Sequence, residues 1–295
     1  MQNTVKQHYV PQFYLKHFVD DNGLLHIYDL EQKKIFTQIP KNICYEKNLY
    51  ETKWENANPK LGEFILQNQI ENIFCECESK FSKVLTIILK VCTPLQNPNA
   101  LILHGEERNI FFQFIINMLV RNPQSMAMFS LNEMELDMKN NKEMHLIKAL
   151  LDYIGFGGTE SLYCAAKKKA FLTEKMENNF PAACIEVLKN YNYTFFYAKD
   201  SSFITSNVPV CVGEDPTIKE NDKTSIYFVL SPKVAVLFGN YKNFRNFKNR
   251  LVCIEEKYVK NLNRIFIKHN DNKRFLISNS DENLDLALKL TFSHC

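Results

Sequence analysis

The spacing of apolar residues changes twice along this chain, and the two changes restrict the folds that it can adopt. Leu24–Tyr28 and Ile35–Thr37 are short β-rich runs separated by a polar turn, which predicts a hairpin. Beyond residue 61 the apolar residues recur at helical spacing, and from Tyr193 onward short β-rich runs return. Helices and strands that are segregated along a chain in this way indicate an α+β fold.

The order of these segments also predicts how they assemble. We expect a mixed or antiparallel sheet formed by the N-terminal hairpin and the C-terminal strands, with a central helical segment between them. No flexible linker separates the two halves, so the prediction is a single α+β domain over residues 1–295 with a helical insertion at about 59–190. The chain is 45% hydrophobic, which is enough to bury a large core.

Several classes of protein are disfavoured by composition. The 8 Gly residues form neither of the glycine-rich phosphate-binding motifs. No apolar run is long enough to span a membrane, and the first residues do not resemble a signal peptide. The 9 Cys residues include no CxxC pair and are expected to be reduced thiols. These features predict a cytoplasmic protein with no membrane association.

Positive charge is concentrated near the C-terminus. The net charge is only +3, but the Lys242–Arg274 region carries far more basic than acidic residues. A basic stretch of this kind predicts a surface that attracts the phosphates of a nucleic acid. The alternative interpretation is an ordinary solvated helix and loop face, because charge runs usually serve that purpose.

His8 is the first candidate for chemistry. It lies among aromatic residues, and an imidazole that titrates near neutral pH can act as a general acid, a general base or a metal ligand. Tyr14 is one of these aromatic residues, and Gln12 lies close to His8 if the segment turns helically. The alternative is a histidine packed among aromatic rings and hydrogen-bonded to a backbone carbonyl.

Arg121 is the second candidate, at the end of a strongly apolar predicted helix and directly before Asn122-Pro123. A guanidinium that emerges from an apolar face can bind a carboxylate or phosphate through two parallel hydrogen bonds. It can equally be a cation that complements the C-terminal end of the helix dipole. Both interpretations stay open on the sequence alone.

Two further groups carry polar side chains. Glu71 and Glu78 are seven residues apart, so they share one helical face. They are weak candidates for ligands of a divalent metal, whose identity the sequence does not specify. The alternative is an ordinary exposed helical face. Ser206 and Asn207 follow a predicted strand, where Ser206 is a candidate nucleophile and Asn207 a candidate substrate-binding amide. Turn capping is the alternative for this pair.

Several of these segments resemble, in order, the patterns of the bacterial family DUF4238. His8–Phe18 resembles the family's opening "HYVPqfYLrxF", and Lys41–Tyr50 resembles its "kniaxexxlY" stretch. Arg121–Pro123 is similar to "Rtp", and Thr205–Pro209 is similar to "TSDnPv". The remaining similarities are Leu25–Asp29 to its following strand, Ile70-Glu71 with Glu78-Ser79 to its "E…Es" helix, and Leu230–Pro232 to "LSP".

The resemblance implies a set of positions and no activity, because the function of the family is unknown. It implies that His8, Gln12, Tyr14, Arg121, Ser206 and Asn207 converge on one cleft. Asn207 departs from the family pattern, which more often shows Asp, and an amide cannot replace a carboxylate as a base. The bacterial context includes mobile-element and phage-defence components, so a defence role is among the expectations.

Two functions from different classes follow. In the first, the protein is a hydrolase or nuclease acting on a phosphate-bearing substrate, either nucleic acid or nucleotide, with His8 as acid or base and Arg121 as phosphate ligand. Ser206 and Asn207 then bind or orient the substrate. In the second, it is a non-catalytic binding or interaction protein, and the same residues form a structural polar network. The sequence leaves open whether the protein is an enzyme.

Overall fold

The computed structural model describes residues 4–54, 62–93, 103–153, 158–174, 191–214, 224–239, 250–269 and 273–292. Its helices are α1 (Gln12–Leu15), α2 (Gln69–Val91), α3 (Gly105–Val120), α4 (Pro123–Ala127), α5 (Leu131–Asn140), α6 (Lys142–Tyr153), α7 (Thr159–Lys169), α8 (Glu256–Lys268) and α9 (Asp281–Phe292). Short 3-10 turns cover Lys16–Phe18 and Pro40–Asn42, and a π-helical turn covers Ala170–Glu174.

The strands follow the same chain order. They are β1 (Lys6–His8), β2 (Leu25–Asp29), β3 (Lys34–Gln38), β4 (Tyr45–Lys47), β5 (Thr52–Lys53), β6 (Phe64–Ile65), β7 (Asn192–Ala198), β8 (Thr205–Ser206), β9 (Val210–Glu214), β10 (Thr224–Ser231), β11 (Val234–Gly239), β12 (Arg250–Ile254) and β13 (Phe275–Ser278).

Two main sheets are built from these strands. The first has the order β12-β7-β11-β10-β9 and is antiparallel except for the parallel pairing of β12 with β7. The second has the order β3-β2-β13-β8 and is antiparallel throughout. Two short antiparallel pairs, β1 with β4 and β5 with β6, complete the pairing.

The predicted α+β class, the N-terminal hairpin and its pairing with C-terminal strands are confirmed. The hairpin is β2–β3, and it joins β13 and β8. The other C-terminal strands form the separate five-stranded sheet. In β10 of that sheet Phe228, Val229 and Leu230 are all fully buried, so both faces of this strand are covered. The single-domain boundaries stay a prediction, and the predicted helical break near Pro181 lies outside the described residues.

Helix α3 forms the centre of the helical segment. It is apolar nearly all round, a pattern typical of an interior helix. On one side Phe111 and Phe112 pack against Phe238 of β11, with ring centroids 6.0 and 5.7 Å apart. On another side Phe114 packs against Phe81 of α2 at 5.1 Å. Helix α3 therefore lies between α2 and the five-stranded sheet, and Arg121, which directly follows α3, is placed inside the protein.

Candidate functional site

Arg121 follows the last turn of α3 and is 1% exposed. Its Nη1 donates to Glu78 at 2.7 Å and to Asn117 Oδ1 at 3.1 Å, one helical turn earlier. Its Nη2 donates to the carbonyl of His8, and its Nε donates to the hydroxyl of Tyr50 at 3.3 Å. All three guanidinium nitrogens are therefore engaged with protein acceptors.

The surroundings of Arg121 keep it charged. Burial by itself lowers the pKa of the guanidinium, but Tyr50 and Glu78 outweigh that effect and raise it. The ring of Phe74 lies 4.4 Å from the guanidinium carbon and adds a cation–π contact. The Tyr50 hydroxyl lies 3.2 Å from the carbonyl oxygen of His8 and 3.1 Å from that of Arg121, so its one proton is donated within the same cluster. Burial raises the pKa of Tyr50 to about 12.

His8 ends β1, and both of its ring nitrogens have protein partners. Nε2 lies 3.1 Å from the carbonyl of Lys41, so this nitrogen carries the proton and donates. Nδ1 is then the acceptor and lies 3.4 Å from the side-chain amide of Gln12. Burial lowers the pKa of His8, with the Lys41 bond opposing that effect, so the imidazole is neutral near pH 7. Its ring also packs 5.5 Å from Tyr45.

Gln7 and Glu51 belong to this network, and the sequence interpretation missed them. Gln7 is fully buried; its amide donates to Glu51 at 2.6 Å, and its carbonyl accepts from the backbone N–H of Tyr50 at 2.8 Å. The Glu51 carboxylate also accepts from the backbone N–H of Asn68 at 3.1 Å, and the backbone carbonyl of Glu51 accepts from the Lys168 ammonium at 2.9 Å. Only their positions in the sequence could have indicated them, because Gln7 directly precedes His8 and Glu51 directly follows Tyr50, which ends a family-like stretch.

Tyr14, from α1, is buried at the junction of the two main sheets. Its hydroxyl donates to the carbonyl of Val229 in β10 at 2.6 Å and accepts from the hydroxyl of Thr205 in β8 at 2.7 Å. Its ring stacks on Phe228 with centroids 5.5 Å apart. Tyr14 therefore ties the N-terminal segment to one strand of each sheet.

Ser206 closes a turn. Its hydroxyl donates to the carbonyl of Val208 at 2.8 Å and accepts from the N–H of the same residue at 3.1 Å. Both capacities of the hydroxyl are used locally, as in many turns made by Ser. Ser206 itself is fully buried.

Asn207 holds the end of β13, and its orientation is fixed. Its Oδ1 accepts from the N–H groups of Arg274 and Phe275, each at 2.9 Å. A flipped amide would place an NH2 group against two donors, so the side chain has one allowed orientation. The Nδ2 group makes no hydrogen bond within the described part of the chain and remains as a donor.

The two carboxylates proposed as weak metal candidates differ in their surroundings. Glu78 pairs with Arg121. Glu71 has a buried Oε2 with no hydrogen-bond partner. Burial raises its pKa to about 7, with Arg121 opposing and Glu78 reinforcing the effect. Among the described residues, no group of three or more His, Cys, Asp or Glu side chains could hold a metal ion.

The predicted basic surface is only partly described. Lys242, Arg245 and Lys248 lie outside the described residues. Of the rest, Lys257 pairs with Glu255 at 3.1 Å, and Lys260 pairs with Glu256. Lys273 is buried, and its ammonium donates a hydrogen bond to the backbone carbonyl of His269 at 2.8 Å. Nucleic-acid binding by this region stays a prediction. None of the described helices is long and apolar enough to cross a membrane.

An open cleft of about 510 Å³ lies beside this network. One wall is the four-stranded sheet, from the end of β8 across β13 to β3. The other wall is the N-terminal segment, β4 and the start of α4. Its lining residues are Tyr9, Glu31, Phe36, Gln38, Asn42, Ile43, Cys44, Tyr45, Glu46, Asn122, Pro123, Gln124, Asn207, Val208, Arg274 and Phe275.

The predicted site residues relate to this cleft in two ways. Asn207 lines it directly. His8, Arg121 and Ser206 do not; their sequence neighbours Tyr9, Asn122 and Val208 do, while the three side chains are bonded in the interior. Together with the Lys41–Tyr50 stretch, four of the family-like stretches thus meet at one cleft, but His8, Arg121 and Ser206 support its walls from the interior.

Cys44 forms part of the cleft floor and has φ of 56°, a left-handed conformation that is unusual for a residue other than Gly. Its carbonyl accepts from the N–H of Tyr9 at 3.0 Å, which holds the N-terminal segment against β4. Burial raises the pKa of the Cys44 thiol. The thiol is therefore protonated at neutral pH and unsuited to nucleophilic attack.

Comparisons with known proteins agree with the resemblance in the sequence. A family model described as a protein of unknown function, DUF4238, matches residues 6–282. No curated protein and no solved structure matches the chain. The match includes every element from β1 to the start of α9, and so both walls of the cleft. The chain belongs to the DUF4238 family.

Proposed function

We propose that this protein is a cytoplasmic, non-catalytic ligand-binding protein. His8, Gln12, Tyr14, Arg121 and Ser206 hold its N-terminal segment, helices and sheets around the cleft, and the ligand occupies the cleft itself. This is the second of the two functions weighed from the sequence, with a defined place for the ligand.

The observation that carries the proposal is the state of Arg121. Its guanidinium is fully buried, and every one of its nitrogens donates to a protein acceptor. A phosphate could reach it only by displacing Glu78 and the carbonyl of His8. Breaking such a buried ion pair costs about 3–5 kcal/mol, which a binding site would have to offset.

A hydrolase or nuclease acting on a phosphate-bearing substrate is the second candidate, and one observation favours it. The imidazole of His8 has a lowered pKa and is neutral near pH 7, as a general base must be. Against this, Nδ1 already faces Gln12 and Nε2 already donates to Lys41.

Stability and turnover of the same variants distinguish the two functions. We expect His8→Gln and Arg121→Met to lower the melting temperature, and we expect wild type to show no turnover of nucleotides, phosphodiesters, RNA or DNA above a buffer blank. Ser206→Ala serves as a matched variant that removes the candidate nucleophile and leaves the larger network intact. Turnover by wild type that is lost in His8→Gln or Ser206→Ala at an unchanged melting temperature would overturn the proposal.

A further inference from the structure

The side chains of the cleft restrict the chemistry of its ligand. The charged lining residues are Glu31, Glu46 and Arg274. The Arg274 Nε lies 3.4 Å from Glu31 and 3.6 Å from Asp29, so its charge is largely offset. Glu46 makes no ion pair within the described ranges. The cleft therefore has a negative balance, and a phosphate dianion would be repelled.

The start of α4 does not reverse this balance. Helix N-termini attract anions through free backbone N–H groups. Here Pro123 has no N–H, and the N–H of Ser125 is bonded to Asn122 Oδ1 at 2.9 Å. Helix α4 is also only 5 residues long. This end of the cleft therefore offers little to an anion.

Flat aromatic surfaces are the second feature of the lining. Phe36, Tyr45 and Phe275 each line the cleft and are half-buried. Aromatic side chains of this kind stack on planar heterocycles. Tyr9 adds a fourth, more deeply buried ring.

The third feature is a fixed pattern of hydrogen-bonding groups. The Nδ2 group of Asn207 is an oriented donor, because Oδ1 is held by the N–H groups of Arg274 and Phe275. The Glu46 carboxylate is an acceptor of the kind that binds the vicinal hydroxyls of a ribose. A ligand that matches both has a hydrogen-bond acceptor on a ring and hydroxyl donors at its other end.

We propose that the cleft binds an uncharged nucleoside, with its base against the aromatic side chains, a base acceptor on Asn207 Nδ2 and its ribose hydroxyls on Glu46. The cleft volume of about 510 Å³ lies within the range of small-ligand sites. This inference rests on the proposed binding function and names the ligand class for the same cleft.

Calorimetric titration of the full chain with adenosine, guanosine, cytidine and uridine tests the inference, with their 5′-monophosphates, maltose and alanyl-alanine as comparison ligands. We expect at least one nucleoside to bind saturably and its monophosphate to bind about fivefold more weakly or worse. Absence of saturable nucleoside binding, tighter binding of the monophosphate, or tighter binding of maltose or the dipeptide would overturn it.

Two variants test the named contacts. Asn207→Asp keeps an acceptor for the two backbone N–H groups but turns the cleft-facing donor into an acceptor, so we expect nucleoside affinity to fall by about fivefold or more. Asn140→Asp, an exposed position on α5 with the same charge change, should have no effect. Glu46→Gln removes a negative charge from the cleft, so it should reduce the difference in affinity between the nucleoside and its monophosphate. If Asn207→Asp and Asn140→Asp changed nucleoside affinity equally, the contact with Asn207 would be contradicted. If Glu46→Gln left the difference in affinity unchanged, the role of Glu46 would be contradicted.

The fate of the nucleoside separates this inference from the proposed function. Chromatography of the titrated samples shows whether the nucleoside is recovered intact. Binding with conversion of the nucleoside would refute the non-catalytic function and leave the ligand class standing. An intact but unbound nucleoside would refute the ligand class and leave the non-catalytic function standing.

Discussion

Replacing Arg121 by Met isolates the contribution of its guanidinium to stability. Methionine retains most of the apolar stem, whereas the cation–π contact with Phe74 is lost with the guanidinium. The substitution removes the hydrogen bonds to Tyr50, Glu78, Asn117 and the carbonyl of His8. It therefore removes the side-chain hydrogen bonds that connect the end of α3 to α2 and to the N-terminal segment.

The expected cost follows from burial. Removing one partner of a buried ion pair costs about 3–5 kcal/mol. The side chain of Glu78 is 25% exposed and can regain water, so the lower end of that range applies, about 3 kcal/mol. For a chain of 295 residues, 1 kcal/mol corresponds to about 2 °C in the melting temperature, which gives a decrease of about 6 °C.

Urea unfolding and thermal melts of wild type, Arg121→Met and Arg264→Met measure this effect. Arg264 is exposed on α8 and bonded only to Asn261 among the described residues, so its substitution should change stability by less than about 0.5 kcal/mol. A double-mutant cycle of Arg121→Met with Glu78→Gln should give a coupling energy of about 1–2 kcal/mol. Equal stability of the two Arg variants, or no coupling with Glu78, would show that the buried guanidinium does not stabilise the fold.

The remaining predictions concern pH and one turn. Burial raises the pKa of Glu71 from 4.5 to about 7, so the stability that the protonated carboxyl contributes is present below pH 4.5 and is lost as pH rises to about 7. In urea unfolding, the stability of Glu71→Gln relative to wild type should therefore increase between pH 4.5 and pH 8, and an equal difference at the two pH values would contradict this. Burial lowers the pKa of His26, but hydrogen bonds such as that to Asp281 outweigh this effect and raise the pKa overall. The stability that the protonated imidazole contributes is therefore present below pH 6.5 and is lost as pH rises through the folded pKa. An NMR titration of Asp281→Asn should show a lower pKa for His26. Ser206→Ala removes both bonds to Val208 and should cost about 1 kcal/mol by melting, whereas a neutral effect would show that the turn does not need them.

Local patterns in the sequence were sufficient to predict the elements of the fold. The helical spacing of Phe74, Phe81 and Leu85 predicts α2, whose buried face they form. The polar turn between Tyr28 and Ile35 predicts the hairpin β2–β3. These features depend on residues close together in the chain, so periodicity and turn chemistry define them. The division into two sheets depends on which strands pair across long stretches of sequence, such as β2 with β13, and that is a long-range property.

The site was only partly predictable for the same reason. The ordered resemblance placed His8, Arg121 and Asn207 in one set, and the fold brings their segments together around the cleft. Whether a side chain faces the cleft or the interior depends on its partners, such as Glu78 for Arg121 and Lys41 for His8, which are 43 and 33 residues away in sequence. Gln7 and Glu51 carried no chemical motif, so their place in the network was not predicted.

The proposed function makes Arg121 a structural cation and not a phosphate ligand. The Nε–H resonance of Arg121, assigned by its loss in Arg121→Met, reports this directly during a titration with inorganic pyrophosphate. We expect a slowly exchanging signal that does not shift as pyrophosphate is added, because the guanidinium nitrogens are occupied by Tyr50, Glu78 and the carbonyl of His8. A saturable shift of that resonance at constant stability would contradict it.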